Sequence, residues 1–331
     1  MQRLTNKILK PIVGGAAVLP MMALLAMLIV LLVEAIPAVR YNGWGFFTKE
    51  TWSIGSLYGG VVNSGGVPHL AGASYGALSI ILGTLEMSAI AVIVGIPIAI
   101  GAAIVIVELL PSKMSNAISL IIEVLAGVPS VVVGLFGLLT FGPWLARNVY
   151  PLLSHMPNVP VLNIFRGSVG HGEGLLSAGL VLSLMIIPIV TSTTRELLRQ
   201  VPTSTKEGAL ALGMTSSESF FAVQAPWIRT GVIGASVLGL GRALGETIAV
   251  ALVSGSVLNL AGNIYGTTGS IASTIVTQLD SAEGDPSGLA VSSLAEAALV
   301  LFIITLLVNV IARFIVTRSA HSTTLPVGAG F

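Results

Sequence analysis

Six long apolar windows leave this chain few ways to fold. A helix needs about 20 mainly apolar residues to cross the hydrocarbon core of a bilayer, and each window is long enough to provide them. They cover residues 11–36, 78–107, 117–141, 175–194, 230–258 and 293–316. Only 9% of the 331 residues are charged, against about 25% in soluble domains. The sequence therefore predicts an all-α polytopic membrane protein, with six transmembrane helices in one domain over residues 1–331.

The first window has two interpretations. Arg3, Lys7 and Lys10 precede it, as basic residues precede the apolar region of a signal peptide. The apolar region of a signal peptide has about 7–15 residues, and the apolar stretch here is longer. We therefore expect a first span that is not cleaved. With the N-terminus inside, ten Lys and Arg residues fall in inner segments and four in outer segments. The excess of basic residues on the inner side predicts that both termini are cytoplasmic.

Several kinds of chemistry are excluded by composition. The chain has no cysteine, so disulfides, thiolate catalysis and cysteine-ligated metals are ruled out. The four histidines show no metal-ligand spacing, and no nucleophile–base arrangement suggests an enzyme. There is no Gly-Lys pair and hence no P-loop, so the chain does not bind ATP by that route.

A predicted cytoplasmic loop over 195–229 contains two local signals for short helices. Ser204-x-x-Glu207 and Thr215-x-x-Glu218 each have the spacing of a capping box. Gly213 can end the first helix, and Pro226 is expected to close the second. From these signals alone, the segment is either a simple connecting helical hairpin or an element that fits a groove on another protein.

The same loop resembles the EAA loop of ABC importer permeases. Glu207, Gly208 and Ala209 are followed at the family's spacing by Gly213 and then by Val223-Gln224-Ala225-Pro226, with Gly208, Val223 and Ala225 replacing the usual Ala, Ile and Leu. The resemblance implies a type I importer fold with a cytoplasmic coupling helix that docks on a separate ATPase. It assigns coupling to Ser204, Glu207, Gly208, Ala209, Gly213 and Pro226.

Two charges, Arg242 and Glu246, lie inside the fifth apolar window. As one helix this window would be about 43 Å long, with Arg242 about 18 Å from its start. A mid-membrane Arg costs at least about 2.5–3.5 kcal/mol. At i, i+4 the two residues share a helix face, so they either form a structural ion pair or line a path for an anion, whose oxygens Arg can bind in bidentate fashion. Gly241 and Gly245, beside them, predict a close approach of another helix.

The stretch "GLGRALGETIAV" is similar to the signature of phosphate ABC importer permeases of the Pst type, and its Ala-Val ending resembles the C-type subunit. "FFTKETW", "YGALSIILGTLEMS" and "EVLAGVPSVVVGLFGL" agree with this family. The resemblance implies a permease subunit in a prokaryotic cell membrane, with Arg242, Glu246 and Thr247 in the substrate pathway. Its implied partners are a second permease, an ATPase dimer that holds ATP and Mg, and an extracytoplasmic phosphate-binding protein. Inorganic phosphate and membrane lipid are the expected ligands, and nucleic acid is not expected.

Further candidates for the pathway are less clear. Glu86 and Glu123 could face the cleft, whereas Glu34 and Glu296 lie near span ends, where snorkelling is cheap. Thr84, Ser88 and Ser130 can bond a helix backbone or a ligand, and Pro97 and Pro129 are expected to kink or open helices. The acidic segment 280–288 is expected to be solvated.

A proton-coupled secondary anion transporter is the alternative function. In that case Glu86, Glu123 and Glu246 would relay protons. The EAA spacing and the lack of two matching interrupted halves argue against it.

Overall fold

The computed structural model describes residues 2–155 and 164–321, and most of these residues are helical. The α-helices are α1 Gln2–Asn42, α2 Gly45–Thr48, α3 Leu78–Ile104, α4 Ser112–Ala126, α5 Ser130–Phe136, α6 Gly142–Asn148, α7 Tyr150–Ser154, α8 Leu175–Arg199, α9 Thr203–Ala211, α10 Ser216–Ser219, α11 Ala225–Gly245, α12 Ile248–Val253, α13 Ile271–Glu283 and α14 Leu289–His321. π-helical segments cover Val105–Leu109, Gly137–Phe141 and Phe220–Gln224. The short strands are β1 Trp52–Ser53, β2 Val61–Ser64, β3 Val67–Leu70 and β4 Ser74–Tyr75.

Five helical stretches of the described residues are long and apolar enough to cross a membrane. They are Val18–Asn42, Leu78–Leu109, Ser130–Asn148, Leu175–Arg199 and Leu289–Ile315. Four of them coincide, within several residues at each end, with the first, second, fourth and sixth windows of the sequence. The third and fifth windows are each divided by a break in the helix, so the expected pattern of six uninterrupted spans is not found in this part of the chain.

The break in the third window lies at Gly127, Val128 and Pro129, between α4 and α5. Pro129 is extended (φ −58°, ψ 137°). A proline also disfavours helical geometry in the residue before it, and it has no N–H to continue the helical ladder. A single helix over 117–141 is therefore wrong, whereas the expectation that Pro129 opens a helix is confirmed. Pro97, by contrast, lies inside the continuous helix α3.

The chain forms two compact units. The first, Met1–Ala77 with Gln278–Phe302, contains α1, α2 and two antiparallel two-stranded sheets, in which β1 pairs with β4 and β2 with β3. Glu296 in this unit is only 4% exposed and accepts a hydrogen bond from Asn42 Nδ2 at 2.8 Å. The prediction that Glu296 snorkels to the interface is therefore wrong, because a neighbouring amide satisfies the carboxylate inside the protein. Glu34, in contrast, is exposed.

The acidic segment 280–288 also differs from the prediction. Asp285 is buried, and its carboxylate accepts hydrogen bonds from the Ser287 N–H and hydroxyl and from the Ala290 N–H. These bonds satisfy donors at the start of α14, as a helix cap does. The segment is therefore partly a capping turn rather than a fully solvated loop.

The second unit, Leu78–Thr277 with Ile303–Phe331, has its core between α3 and α8. Met87 and Ala91 of α3 pack with Leu182 and Ile186 of α8. The same cluster includes Ala243 of α11 and Ala249, Val250 and Val253 of α12. The two helices on either side of the break in the fifth window, α11 and α12, therefore pack in the same core.

A substitution at Gly83 would test how closely the helices of this unit are packed. A Cβ at Gly83 would lie 2.2 Å from the Gly269 carbonyl oxygen and 2.9 Å from Thr268 Oγ1. We expect Gly83→Ala to lower the free energy of unfolding by about 1–3 kcal/mol, the usual cost of overpacking. Thermal unfolding in detergent would measure the loss. Gly101→Ala on the same helix is the control, since a Cβ there meets nothing within 4 Å. Equal stability of the two variants would contradict the close contact.

Candidate substrate pathway and coupling segment

The fifth apolar window is interrupted beside its charged residues. Helix α11 ends at Gly245, Glu246 is extended (φ −71°, ψ 126°), and α12 starts at Ile248. Polar side chains take the place of helical bonds here, since Thr247 Oγ1 donates to the Gly245 carbonyl at 3.2 Å. Glu246 Oε1 accepts from the Ala249 N–H at 3.5 Å. Side chains of this kind compete with the helical ladder and favour a break.

This break overturns the predicted face shared by Arg242 and Glu246. The i, i+4 relation requires a continuous helix, and the helix ends before Glu246. Among the described residues two ion pairs form, and neither includes Arg242 or Glu246. The intrahelical ion pair is therefore not formed, and Arg242 is exposed in this chain.

A cavity of about 400 Å³ lies beside Arg242. Its wall comes from the end of α4, the break before α5, α5 itself and the middle of α8, including Pro188. Arg242 is the one charged residue among those lining it. A second cavity of about 480 Å³ has Gly241, Arg242 and Asn309 in its wall. No acidic side chain among the residues lining these two cavities neutralises Arg242, so its positive charge favours an anion there.

The predicted glycine contact is not made within the described part of this chain. A Cβ at Gly241 or at Gly245 would meet nothing within 4 Å. The expected helix–helix approach over these two residues therefore does not occur between helices of the described chain, and this face of α11 remains open.

The polar candidates on α3 have different surroundings. Thr84 is buried, donates to the Ile80 carbonyl at 2.6 Å and accepts from the Ile271 N–H at 2.9 Å, so it joins α3 to the start of α13. The Ser88 hydroxyl is buried and has no hydrogen-bond partner among the described residues. Glu86 is exposed on the same helix. These three side chains thus do not converge on one buried site.

Glu123 and Ser130 lie on opposite sides of the break between α4 and α5. Glu123 Oε1 accepts from Arg195 Nη2 at 2.6 Å. Arg195 is buried on α8, whereas about half of the Glu123 side chain is exposed. Ser130 is half-buried at the first position of α5. The carboxylate of Glu123 therefore serves as the partner of a buried arginine.

The segment 195–229 has the two short helices that the sequence predicts, with one corrected start. Helix α9 begins at Thr203 after Pro202, so Ser204 lies within the helix and does not cap it. Pro202 has a non-helical ψ of 132° and occupies the N-cap position, so the helix starts directly after it. Glu207 and Gly208 are exposed, and Ala209 is buried. Gly213 has φ +85°, and its N–H donates to the Leu210 carbonyl at 2.9 Å.

The second helix follows the capping-box prediction at its start. Thr215 accepts from the Glu218 N–H, and Glu218 accepts from the Thr215 N–H at 2.8 Å. The backbone N–H of Thr215, and then its hydroxyl, lower the pKa of the Glu218 carboxyl. Pro226, however, does not close the helix. The chain continues through the π segment Phe220–Gln224 into α11, and Pro226 lies in the first turn of α11, where a missing N–H is tolerated.

Two ion pairs of the structure were not predicted from the sequence. Arg195 pairs with Glu123, and Lys206 Nζ lies 2.6 Å from Glu108 Oε1. The partners are 72 and 98 residues apart. In the sequence these basic residues indicated only the orientation of the chain in the membrane, because no local spacing connects them to their acidic partners.

These features define the class of protein. Long apolar helices, a broken helix whose Arg242 lies beside a cavity without an ion-pair partner among the described residues, and a helical hairpin with a glycine turn are typical of a membrane transport permease. The family model for the binding-protein-dependent transport system inner membrane component matches residues 95–323. The chain belongs to this family and is a multi-pass protein of the membrane.

Relatives with similar sequences cover most of the chain. It is 53% identical to phosphate transport system permease protein PstC 1 of Mycobacterium tuberculosis over 319 residues, which are 96% of this chain and 94% of the relative. It is 40% identical to phosphate transport system permease protein PstC of Haemophilus influenzae over 245 residues, 74% of this chain and 76% of the relative. These relatives support the resemblance found in the sequence.

Solved structures share the fold. An inward-facing MetNI methionine ABC transporter matches with a TM-score of 0.51 and 17% identity, over 72% of this chain and 93% of that chain. A bacterial alginate ABC transporter in complex with an alginate pentasaccharide-bound periplasmic protein matches with a TM-score of 0.51 and 18% identity, over 95% and 98% of the two chains. At these identities the comparison establishes the ABC importer permease fold alone.

Proposed function

We propose that this chain is the membrane-spanning permease subunit of an ATP-driven importer of inorganic phosphate. The observation that carries the proposal is Arg242, which has no ion-pair partner among the described residues and is the one charged residue lining the cavity of about 400 Å³ between α4, α5 and α8. Its planar guanidinium matches two oxygens of a tetrahedral oxyanion. The names of the relatives from M. tuberculosis and H. influenzae support phosphate as that anion.

A second permease subunit would complete the pathway. The face of α11 at Gly241 and Gly245 is open, and small residues let helices approach closely in a membrane. Arg242 is exposed next to this face, so a second chain packed there would enclose the guanidinium. Phosphate would then pass between the two permeases, towards a cytoplasm that also holds both termini of this chain.

An ATPase dimer would dock on the coupling segment. Leu212, directly after α9, is 82% exposed, and Phe221, in the π segment after α10, is 74% exposed. Exposed apolar side chains on a helical hairpin suit a groove on another protein. ATP and Mg would be bound by that partner, since the sequence has no P-loop and no cofactor is expected in this chain. An extracytoplasmic phosphate-binding protein would deliver the anion on the opposite side.

Reconstitution would test this function. The chain is co-expressed with the candidate second permease and ATPase, purified as a complex and placed in proteoliposomes with the binding protein. We expect labelled phosphate to accumulate only when ATP is present on the ATPase side. Uptake that needs a proton gradient and no ATP would contradict the proposal.

Glu246 offers a test of specificity. Phosphate at neutral pH carries a proton on at least one oxygen, whereas sulfate carries none. The Glu246 carboxylate is half-buried one residue past α11, and it can accept a hydrogen bond from a protonated oxygen but repels a bare one. We expect Glu246→Gln to admit sulfate, because an amide can also donate.

The measurement compares phosphate and sulfate flux through the variant in a system that runs without the binding protein, which would otherwise select the anion first. Strict exclusion of sulfate by the Gln variant would rule out Glu246 as the filter. Glu283→Gln makes the same change at an exposed carboxylate outside the proposed pathway, so it is the control and should exclude sulfate as the parent does.

A further inference from the structure

The ion pair between Lys206 and Glu108 joins two elements that are distant in sequence. Lys206 lies on α9, and Glu108 lies in the π segment Val105–Leu109 at the end of α3. Lys206 Nζ donates to Glu108 Oε1 at 2.6 Å, and the two side chains are 24% and 26% exposed. The contact is therefore partly shielded from water, which strengthens it relative to a fully exposed pair.

Helix α9 is otherwise weakly held. Among its nine residues only Ala209 is buried and only Lys206 is half-buried, while the remaining side chains are exposed. A force applied to α9 by a docked protein would reach the rest of the chain through these two side chains and through the contact of α9 with the π segment Phe220–Gln224. Lys206 makes the ion pair with the end of α3.

The π segment suits such a link. Its hydrogen bonds run from i to i+5, as in the bond from the Leu110 N–H to the Val105 carbonyl at 3.2 Å. π segments are rare and occur frequently at functional sites. Next to it, Ala103, Leu198 and Ile228 form one buried cluster, which Val107 also contacts, so the ends of α3, α8 and α11 move against a shared core.

A displacement of Glu108 can reach the candidate pathway through packed residues. From the π segment the chain continues back along α3 to Met87 and Ala91. These residues pack in the core cluster that contains Ala243, the neighbour of Arg242. A contiguous packed core carries small shifts over such distances.

We propose that Lys206 and Glu108 form a positioning ion pair that passes the movement of α9 to the π end of α3. This inference rests on the proposed function, and it assigns to the pair the coupling of ATP hydrolysis to transport. Opposite charge at the two positions is the requirement, rather than Lys at one and Glu at the other. A partly exposed ion pair contributes little to folding stability, so its reversal leaves the fold intact.

Charge reversal tests the pair. Lys206→Glu and Glu108→Lys each place two like charges together, and we expect each to lower the phosphate taken up per ATP hydrolysed by roughly fivefold or more, as for a lost coupling energy. The double variant restores opposite charges and should return to within about twofold of the parent. Lys113→Glu and Glu283→Lys make the same charge changes at exposed positions outside the pair and should behave as the parent does.

Three readouts separate the outcomes. Co-purification of the ATPase reports assembly, the ratio of uptake to hydrolysis reports coupling, and the ATPase rate stimulated by the binding protein is recorded in parallel. Single variants that couple like the parent, or a double variant that stays as defective as the singles, would overturn the pair. If the reversals fail to assemble, the neutral Glu108→Gln variant decides, and parent-like coupling in it overturns the inference.

Failure of the proposed function gives a different pattern. If the parent complex takes up no phosphate in the presence of ATP, the proposed function is contradicted. The ion pair can then still be tested, by comparing the stimulated ATPase rates of the single and double charge-reversal variants. Parent uptake together with unchanged coupling in the single variants contradicts the ion pair alone.

Discussion

Arg242→Lys is expected to reduce phosphate uptake by about tenfold or more, because one charge-assisted hydrogen bond is worth about 1.5–3 kcal/mol. Lysine keeps the positive charge but loses the planar pair of donors that binds two oxygens at once. Arg242 has no ion-pair partner among the described residues, so the substitution breaks no existing salt bridge. The complex should therefore assemble normally.

The measurement is ATP-driven uptake of labelled phosphate in proteoliposomes, with co-purification of the ATPase as the assembly check. Arg147→Lys, at the exposed end of α6, is the matched control and should transport as the parent does. If Arg242→Lys also transports like the parent, bidentate recognition is wrong and a general positive potential in the cavity is sufficient. Weak binding by a single Arg is consistent with transport, since the anion must also leave.

Gly213→Val is expected to lower uptake by about fivefold or more while membrane insertion stays normal. Gly213 has φ +85°, a conformation that costs a β-branched residue about 1–3 kcal/mol. Space is not the cause, since a Cβ at Gly213 would meet nothing within 4 Å. The strain would instead disturb the turn between α9 and α10, and with it the surface proposed to contact the ATPase.

Gly213→Asn separates conformation from loss of glycine. Asparagine tolerates the left-handed region better than other residues, so this variant should keep most of the uptake. The experiment measures uptake, ATPase rate and the amount of ATPase bound for both variants. Unchanged uptake in a well-inserted Gly213→Val protein would show that the turn does not transmit hydrolysis.

The structure argues against a proton-coupled secondary anion transporter, which is the alternative function. It needs Glu86, Glu123 and Glu246 to relay protons, but Glu123 pairs with Arg195 and Glu86 is exposed on α3. The chain also belongs to a family of binding-protein-dependent transport components. The ATP-driven interpretation also explains the helical hairpin α9–α10, for which a secondary transporter has no use.

Features that depend on composition and on neighbours along the chain could be predicted from the amino-acid sequence. The apolar windows predict a membrane protein because about 20 apolar residues are enough for a span, whatever surrounds them. The turn at Gly213 and the box of Thr215 and Glu218 were predictable because their hydrogen bonds close within a few residues. Arg242 was found as a candidate because a charge in an apolar window is conspicuous in any fold.

The arrangement of these features in space depends on contacts between residues that are distant in sequence. The break at Glu246 separates a pair that spacing had joined, and it depends on side-chain bonds and on the packing of Ala243 and Ala249 in one core. The ion pairs of Lys206 with Glu108 and of Arg195 with Glu123 connect residues 98 and 72 positions apart. A local pattern records propensity within a helix or turn, whereas such contacts arise only when distant helices pack side by side.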